Sequence, residues 1–184
     1  MTVYLIGFMG SGKSYLGRLL SNHLGVDHID LDEWIESKYG KSITEIFQSE
    51  GEDRFREKEH EALKSLYEAY SRSVNLSIPS TELNLIISCG GGTPCFNGNM
   101  EWMNQHGLTI WLDPPIHVLL ERLAKEKTHR PLLAKLSDDQ MKHFVEQKLK
   151  ERSFFYNQAR LVLHDEVWDL PGLLKQINDA SHLQ

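Results

Sequence analysis

A glycine-rich turn near the amino terminus ends in a lysine and a serine, Gly7-x-x-x-x-Gly12-Lys13-Ser14, which is the Walker A spacing. It follows the β-rich run Val3-Tyr4-Leu5-Ile6, and Tyr15, Leu16, Leu19 and Leu20 then recur with helical spacing. Strand, glycine loop and helix in that order constrain the chain to an α/β fold with a phosphate site at one sheet edge. Glycines at 7, 10 and 12 allow backbone conformations that turn N–H groups inward, and the helix that follows adds its positive end. Lys13 is expected to reach the β- and γ-phosphates of ATP and to be catalytic, while the Ser14 hydroxyl suits Mg²⁺. The predicted nucleotide-binding set here is Gly10, Ser11, Gly12, Lys13, Ser14 and Tyr15. A plain glycine turn is the alternative, and the strand–helix context disfavours it.

Beyond the loop, strands and helices alternate. Gly25 is placed to close the first helix, and His28-Ile29-Asp30-Leu31-Asp32 reads as a second strand ending in carboxylates. Residues 33–70 read as helical with breaks at Gly40 and Gly51, and Ser42-Ile43-Thr44-Glu45 forms a capping box. The polar segment 71–84 contains Pro79 and is expected to be a surface loop, an insertion and not a domain boundary. Further strands are predicted at 85–88, 108–112 and 161–163, with helices near 100–105, 116–125, 138–156 and 170–180. This order implies a mostly parallel sheet covered by helices on both faces.

Composition narrows the class further. With 184 residues, 40% of them hydrophobic, plus 7 Phe, 6 Tyr and 4 Trp, the chain suits one domain over residues 1–184 with a core that needs no staples. Disorder, collagen and a disulfide scaffold are excluded. A net charge of −6 opposes a phosphate backbone, so no nucleic-acid partner is expected. No apolar run is long enough to span a bilayer, and the short run at Val3–Ile6 is no signal peptide, so no membrane association is expected. Cys89 and Cys95 match neither a redox pair nor a zinc pattern, which reads as a reducing, cytoplasmic setting. None of the nine histidines falls in a metal-ligand spacing such as HExxH.

Asp30-Leu31-Asp32 gives the acceptor side its first candidates. Strand alternation would point both carboxylates to one face at the ligand-binding edge, so that one can serve Mg²⁺ and the other a substrate hydroxyl, and Asp30 is taken with Ser14 as the expected metal pair. A solvated acidic turn, or the N-cap of a helix starting at Glu33, is the structural alternative.

In order, the Walker loop 7–14, Asp30-Leu31-Asp32, Phe55-Arg56-Glu57-Lys58-Glu59, Gly90-Gly91-Gly92, Arg130-Pro131-Leu132-Leu133 and Glu151-Arg152-Ser153-Phe154-Phe155-Tyr156 resemble shikimate kinase. The resemblance implies transfer of the ATP γ-phosphate to the 3-hydroxyl of shikimate, giving shikimate 3-phosphate for aromatic amino-acid biosynthesis. It implies a three-layer P-loop kinase fold with a five-stranded parallel sheet of order 2-3-1-4-5. It also implies a substrate-binding region at about 31–62, a mobile lid at about 125–137 and a monomer. Shikimate, Asp32, Arg56, Gly91 and Arg152 are then matched as ligand and binding set, Lys13, Asp32 and Arg130 as catalytic, and Arg130 also as a nucleotide contact.

Chemistry supports these matches. Shikimate carries one carboxylate and three hydroxyls, and a guanidinium presents a planar fork suited to a carboxylate. Asp32 would orient or deprotonate the attacking hydroxyl, Glu59 would brace Arg56 one helical step away, and Gly91 would let backbone approach the substrate. Taken alone the triplet is also a flexible turn, and residues 126–129 read as a solvated charged loop. The four tryptophans are read as core residues, with a substrate contact left open for Trp34, and Cys89 as a small buried side chain. Tyr15 departs from the family, where a second hydroxyl residue commonly follows the Walker serine. The adenine contacts stay open: Arg122 and Lys125 compete for one, and residues 164–166 are candidates for others. Two other functions fit the loop: a P-loop kinase for another polyol acid such as gluconate, and a nucleotide-binding switch without turnover.

Overall fold

A computed structural model describes residues 1–73, 83–126, 133, 136–164 and 169–181. Five strands, β1 Thr2–Ile6, β2 Asp27–Asp30, β3 Leu85–Ser88, β4 Gly107–Leu112 and β5 Leu161–Leu163, form one sheet of order β2-β3-β1-β4-β5. All four pairings are parallel, as the resemblance implies. The helices are α1 Lys13–Leu24, α2 Leu31–Tyr39, α3 Ile43–Ser73, α4 Asn99–His106, α5 Ile116–Lys125, α6 Asp138–Tyr156 and α7 Leu170–Ser181.

The central strand explains the layering. Every residue of β1 is buried, and alternate side chains serve opposite faces. Tyr4 and Ile6 join Leu31, Ile35, Phe55 and Leu63 on the α2–α3–α4 side, while Val3 and Leu5 join Leu16, Leu20, Leu173 and Ile177 on the α1–α7 side. A third cluster, Phe8, Leu119, Leu123, Leu133, Met141 and Val145, ties the phosphate loop to α5 and α6.

Local signals set the helix ends. Gly25 and Gly40 terminate α1 and α2 in the left-handed region, at φ 68° and 63°. Ser42 and Glu45 exchange capping bonds at the start of α3, and Ser137 with Gln140 does the same for α6. Gly51, at φ 86° and ψ 171°, divides α3 into two helices that meet at a kink, in agreement with the break expected there.

Two elements differ from the sequence expectation. β2 stops at Asp30, and Asp32 lies in the first turn of α2, not on a strand. The cause is local: the Asp30 carboxylate accepts from the Asp32 N–H at 3.1 Å, so the aspartate caps the helix that the alternating pattern disguised. The helix starts at Leu31, two residues earlier than the capping alternative placed it. Helical structure also continues through Ser73, into the segment read as a loop, while residues 74–82 lie outside the described residues. Among the described residues no helix is long and apolar enough to cross a membrane.

Candidate active site

The phosphate loop leaves the carboxyl end of β1 with Gly7, Gly10 and Gly12 at φ 138°, 79° and 101°, values that side chains rarely adopt. At Gly7 a Cβ would also fall 2.6 Å from the Leu112 carbonyl, so only glycine fits there. Lys13 folds over this loop and donates to the Gly7 and Phe8 carbonyls at 3.0 and 2.9 Å. Its ammonium is thereby held against the loop carbonyls, on the wall of the cavity. Ser11 is buried beneath, and its N–H donates to the Phe8 carbonyl at 3.2 Å.

A cavity of about 590 Å³ opens above the loop, and its walls include Lys13, Ser14, Asp30, Asp32, Gly91 and Arg122. Gly10, Gly12 and Tyr15 line it too, and the Tyr15 ring is 65% exposed at the mouth. Ser14 Oγ donates to Asp30 Oδ2 at 2.6 Å, which pairs two hard oxygen donors beside the phosphate loop. Mg²⁺ is held by one or two such protein groups together with substrate phosphates and water, so this pair fits the ion.

The glycine triplet follows β3 on the other wall, beside the loop. Each glycine leaves room for a different functional side chain. A Cβ at Gly90 would meet Asp32 Oδ1, Glu59 Oε1 and Thr93 Oγ1, all at 3.0 Å. One at Gly91 would meet Arg152 Nη1 at 3.0 Å, and one at Gly92 would meet Arg56 Nη2 at 2.7 Å. The two arginines, distant in the chain, therefore converge on consecutive residues of one turn.

Each guanidinium is supported from behind. Arg56 pairs with the buried Glu59 at 2.6 Å and with Glu52 at 2.9 Å, and lies over the Phe96 and Phe55 rings at 4.3 and 5.1 Å. Thr93 Oγ1 donates to Glu59 at 2.5 Å and completes this brace. Arg152 lies 5.4 Å from the centre of the Phe8 ring, so a residue of the phosphate loop backs the second arginine.

Electrostatics separate the two aspartates. Burial, then the neighbouring charges of Glu59 and Asp30, pushes the Asp32 carboxyl up to about 7. Burial also raises Glu59, against the opposing pull of Arg56 and Thr93. Asp30 meanwhile is engaged by Ser14 and by the first turn of α2. A carboxylate that titrates near neutrality and borders a phosphate loop can accept a proton from a hydroxyl.

Several sequence readings take definite positions. Arg122 lines the cavity and donates to the Gly10 and Ser11 carbonyls at 3.2 and 3.3 Å, whereas Lys125 is 71% exposed and pairs with Glu121. The sequence reading left the two open, although helical spacing puts Arg122 one turn from Val118 and Leu119, which are buried. Trp34 packs against the core below Lys38 and is not among the residues lining the cavity. Cys89 is buried, and burial pushes its thiol up, away from nucleophilic chemistry. Thr93 carried no motif signal, because its role depends on meeting α3 in space. Arg130, His129, Trp168 and residues 165–166 lie outside the described residues, as does most of the expected lid at 125–137.

Known proteins resemble this chain in sequence and fold. The family model described as Shikimate kinase matches residues 9–171. A shikimate kinase of Azobacteroides pseudotrichonymphae is 41% identical over 160 residues, 87% of each chain. One from Bacteroides thetaiotaomicron is 36% identical over 98% of both. Among solved structures, the shikimate kinase of Bacteroides thetaiotaomicron superposes with a TM-score of 0.81 at 36% identity, covering 100% of this chain and 97% of that one. The Acinetobacter baumannii enzyme, solved in complex with shikimate, gives 0.78 at 30% identity over 100% and 95%. A match that spans most of the chain, with relatives of one name along nearly its whole length and one fold, establishes that this chain belongs to the shikimate kinase family.

Proposed function

We propose that this protein transfers the γ-phosphate of ATP to the 3-hydroxyl of shikimate, giving shikimate 3-phosphate and ADP in the cytoplasm. The observation that carries this reading is the convergence of Arg56 and Arg152 on one glycine turn that shares a cavity with the Walker loop. A kinase for a neutral alcohol has no need of two guanidinium groups at that point.

In this reading the substrate carboxylate lies between Arg56 and Arg152, and its ring hydroxyls face Asp32 and the backbone at Gly91. Glu59 and Thr93 hold Arg56 in the orientation a carboxylate requires. The loop from Gly10 to Ser14 receives the triphosphate, and Lys13 exchanges its two carbonyl partners for phosphate oxygens. Ser14 and Asp30 would hold Mg²⁺, which when bound neutralises charge on the phosphates. Asp32 orients the attacking hydroxyl and accepts its proton, and a carboxyl titrating at about 7 is poised for that at cellular pH. Arg122 belongs to the nucleotide side, next to the loop carbonyls of Gly10 and Ser11. From the resemblance alone, Arg130 supplies a further cation to the transferring phosphoryl group, and the lid at 125–137 excludes water. The chain acts as one kinase domain and as a monomer, with residues 31–62 as its substrate-binding region.

An ATP-consumption assay with shikimate, a decarboxylated analogue and a panel of other polyol acids tests this directly. Turnover of shikimate, with the analogue strongly impaired, is expected. A good rate on gluconate without shikimate turnover would assign another acceptor, and ATP binding without transfer would make the protein a nucleotide-binding module.

A further inference from the structure

α6 delivers two groups to the glycine turn, one helical turn apart. Arg152 comes first and abuts Gly91; Tyr156 follows, and its hydroxyl donates to the Gly91 carbonyl at 2.5 Å. The tyrosine is fully buried, its ring packs on Trp111 with centroids 5.6 Å apart, and the Arg152 guanidinium lies beside its oxygen. Tyr156 is not among the residues that line the cavity, so its hydroxyl is placed to act on the turn.

The turn itself shows what the hydroxyl does. The Thr93 N–H donates to the Gly90 carbonyl at 3.1 Å, and the Cys95 N–H to the Gly92 carbonyl at 2.9 Å. The middle carbonyl, that of Gly91, is held by Tyr156, a side chain from a different element. The peptide that joins Gly91 to Gly92 is planar and trans, so fixing its oxygen fixes the Gly92 N–H in the opposite direction. Without that bond two consecutive glycines leave this peptide free to rotate at little steric cost.

We propose that Tyr156 is a positioning residue for the acceptor: its hydroxyl locks the Gly91–Gly92 peptide against α6, so that the substrate-facing backbone of the turn and the Arg152 guanidinium keep one fixed spacing. The proposal rests on the assignment of shikimate as acceptor and on the carboxylate clamp. It makes the spacing between clamp and turn a property of helix α6, with the phenol as a strut of set length.

Steady-state kinetics of the wild type and Tyr156→Phe, with each substrate varied in turn, test it. The variant keeps the ring and its packing and loses the hydroxyl, with its bond to the Gly91 carbonyl and its contact with Arg152. The expected result is a rise of about tenfold in KM for shikimate, with kcat and KM for ATP changed less than about threefold. Placing 4-aminophenylalanine at position 156 restores a donor at similar reach, and should return KM for shikimate to within about threefold of wild type. An unchanged KM for shikimate in the phenylalanine variant would overturn the proposal. So would equal rises for both substrates, failure of that variant to fold, or an aminophenylalanine variant as impaired as the phenylalanine one. If the wild type binds ATP yet does not phosphorylate shikimate, the acceptor assignment itself fails and takes the proposal with it. Wild-type turnover with an unaffected variant removes only the role of Tyr156.

Discussion

The Arg56 guanidinium occupies the space that a side chain at Gly92 would fill, with Nη2 2.7 Å and Nη1 2.8 Å from an added Cβ. Gly92 has φ −94° and ψ −18°, a conformation that alanine adopts freely. Gly92→Ala should therefore fold normally while displacing one arm of the clamp. KM for shikimate is expected to rise by about tenfold or more, since a shift of about 1 Å can cost up to a hundredfold, with nucleotide binding retained. Calorimetric titration with shikimate and with ADP separates the two effects, and intact shikimate affinity would refute the placement of Arg56.

The two arginines should differ in stability and agree in binding. Arg56→Ala leaves the buried Glu59 without its ionic partner, which costs about 3 kcal/mol in comparable buried pairs. Arg152→Ala strands no buried carboxylate and should cost about 1 kcal/mol or less. Both should raise KM for shikimate. Urea unfolding and kinetics on the same samples check this, and unchanged shikimate affinity in both variants would remove the clamp.

Asp30 has two duties that substitutions can separate. It accepts from Ser14 and from the first turn of α2. Asparagine preserves a cap, whereas alanine removes it at a cost of about 1 kcal/mol. Asp30→Asn and Asp30→Ala should both require more Mg²⁺ for half-maximal rate, but only the alanine variant should lose melting temperature. A normal Mg²⁺ requirement in both would rule out the metal role.

Turnover should rise with pH through about 7, as Asp32 loses its proton and becomes able to accept one. Stability moves the other way. The folded carboxyl is raised above its unfolded value of 3.8, so the folded state binds the extra proton between that value and about 7. The stabilisation from this proton is complete below pH 3.8 and is lost as pH climbs through about 7. Asp32→Asn should lower kcat severely and flatten this loss of stability. A pH–rate profile still rising at neutral pH in the variant would assign the titration to another group.

Tyr15 stands where the resemblance implies a second hydroxyl residue after the Walker serine, and its ring stands exposed at the cavity mouth. Tyr15→Thr should tighten ATP binding by about threefold, the worth of one modest hydrogen bond. Fluorescence titration with a nucleotide analogue measures it, and weaker binding would mean that the phenol itself contacts nucleotide.

The parts of this site that could be read from the chain are those built by neighbours in sequence. Gly7 to Ser14 carry a strand–loop–helix signal within a few residues, and Arg56 and Glu59 share one helical face, so both readings agree with the structure. Asp30-Leu31-Asp32 misled because a two-residue alternation fits a strand, while a single side-chain bond to the Asp32 N–H decides for a helix. Thr93 and Tyr156 gained their partners only through folding, since Glu59 and Gly91 reach them from other elements. Arg122 was within reach of sequence reasoning, because helical phase puts it beside buried residues and Lys125 outside.

The phosphate loop and the glycine turn leave adjacent, hydrogen-bonded strands: Leu5 is in register with Ser88, and the Cys89 N–H donates to the Leu5 carbonyl at 3.0 Å. The separation of the two loops at their base is thus set by the main-chain rung between β1 and β3, a length common to every parallel sheet. In the proposed function, side chains on α2, α3 and α6 select the alcohol, whereas the spacing of the two loops comes from the strands. Acceptor preference can consequently drift by exchange of a few helix residues while the separation at the base is inherited unchanged from the ladder.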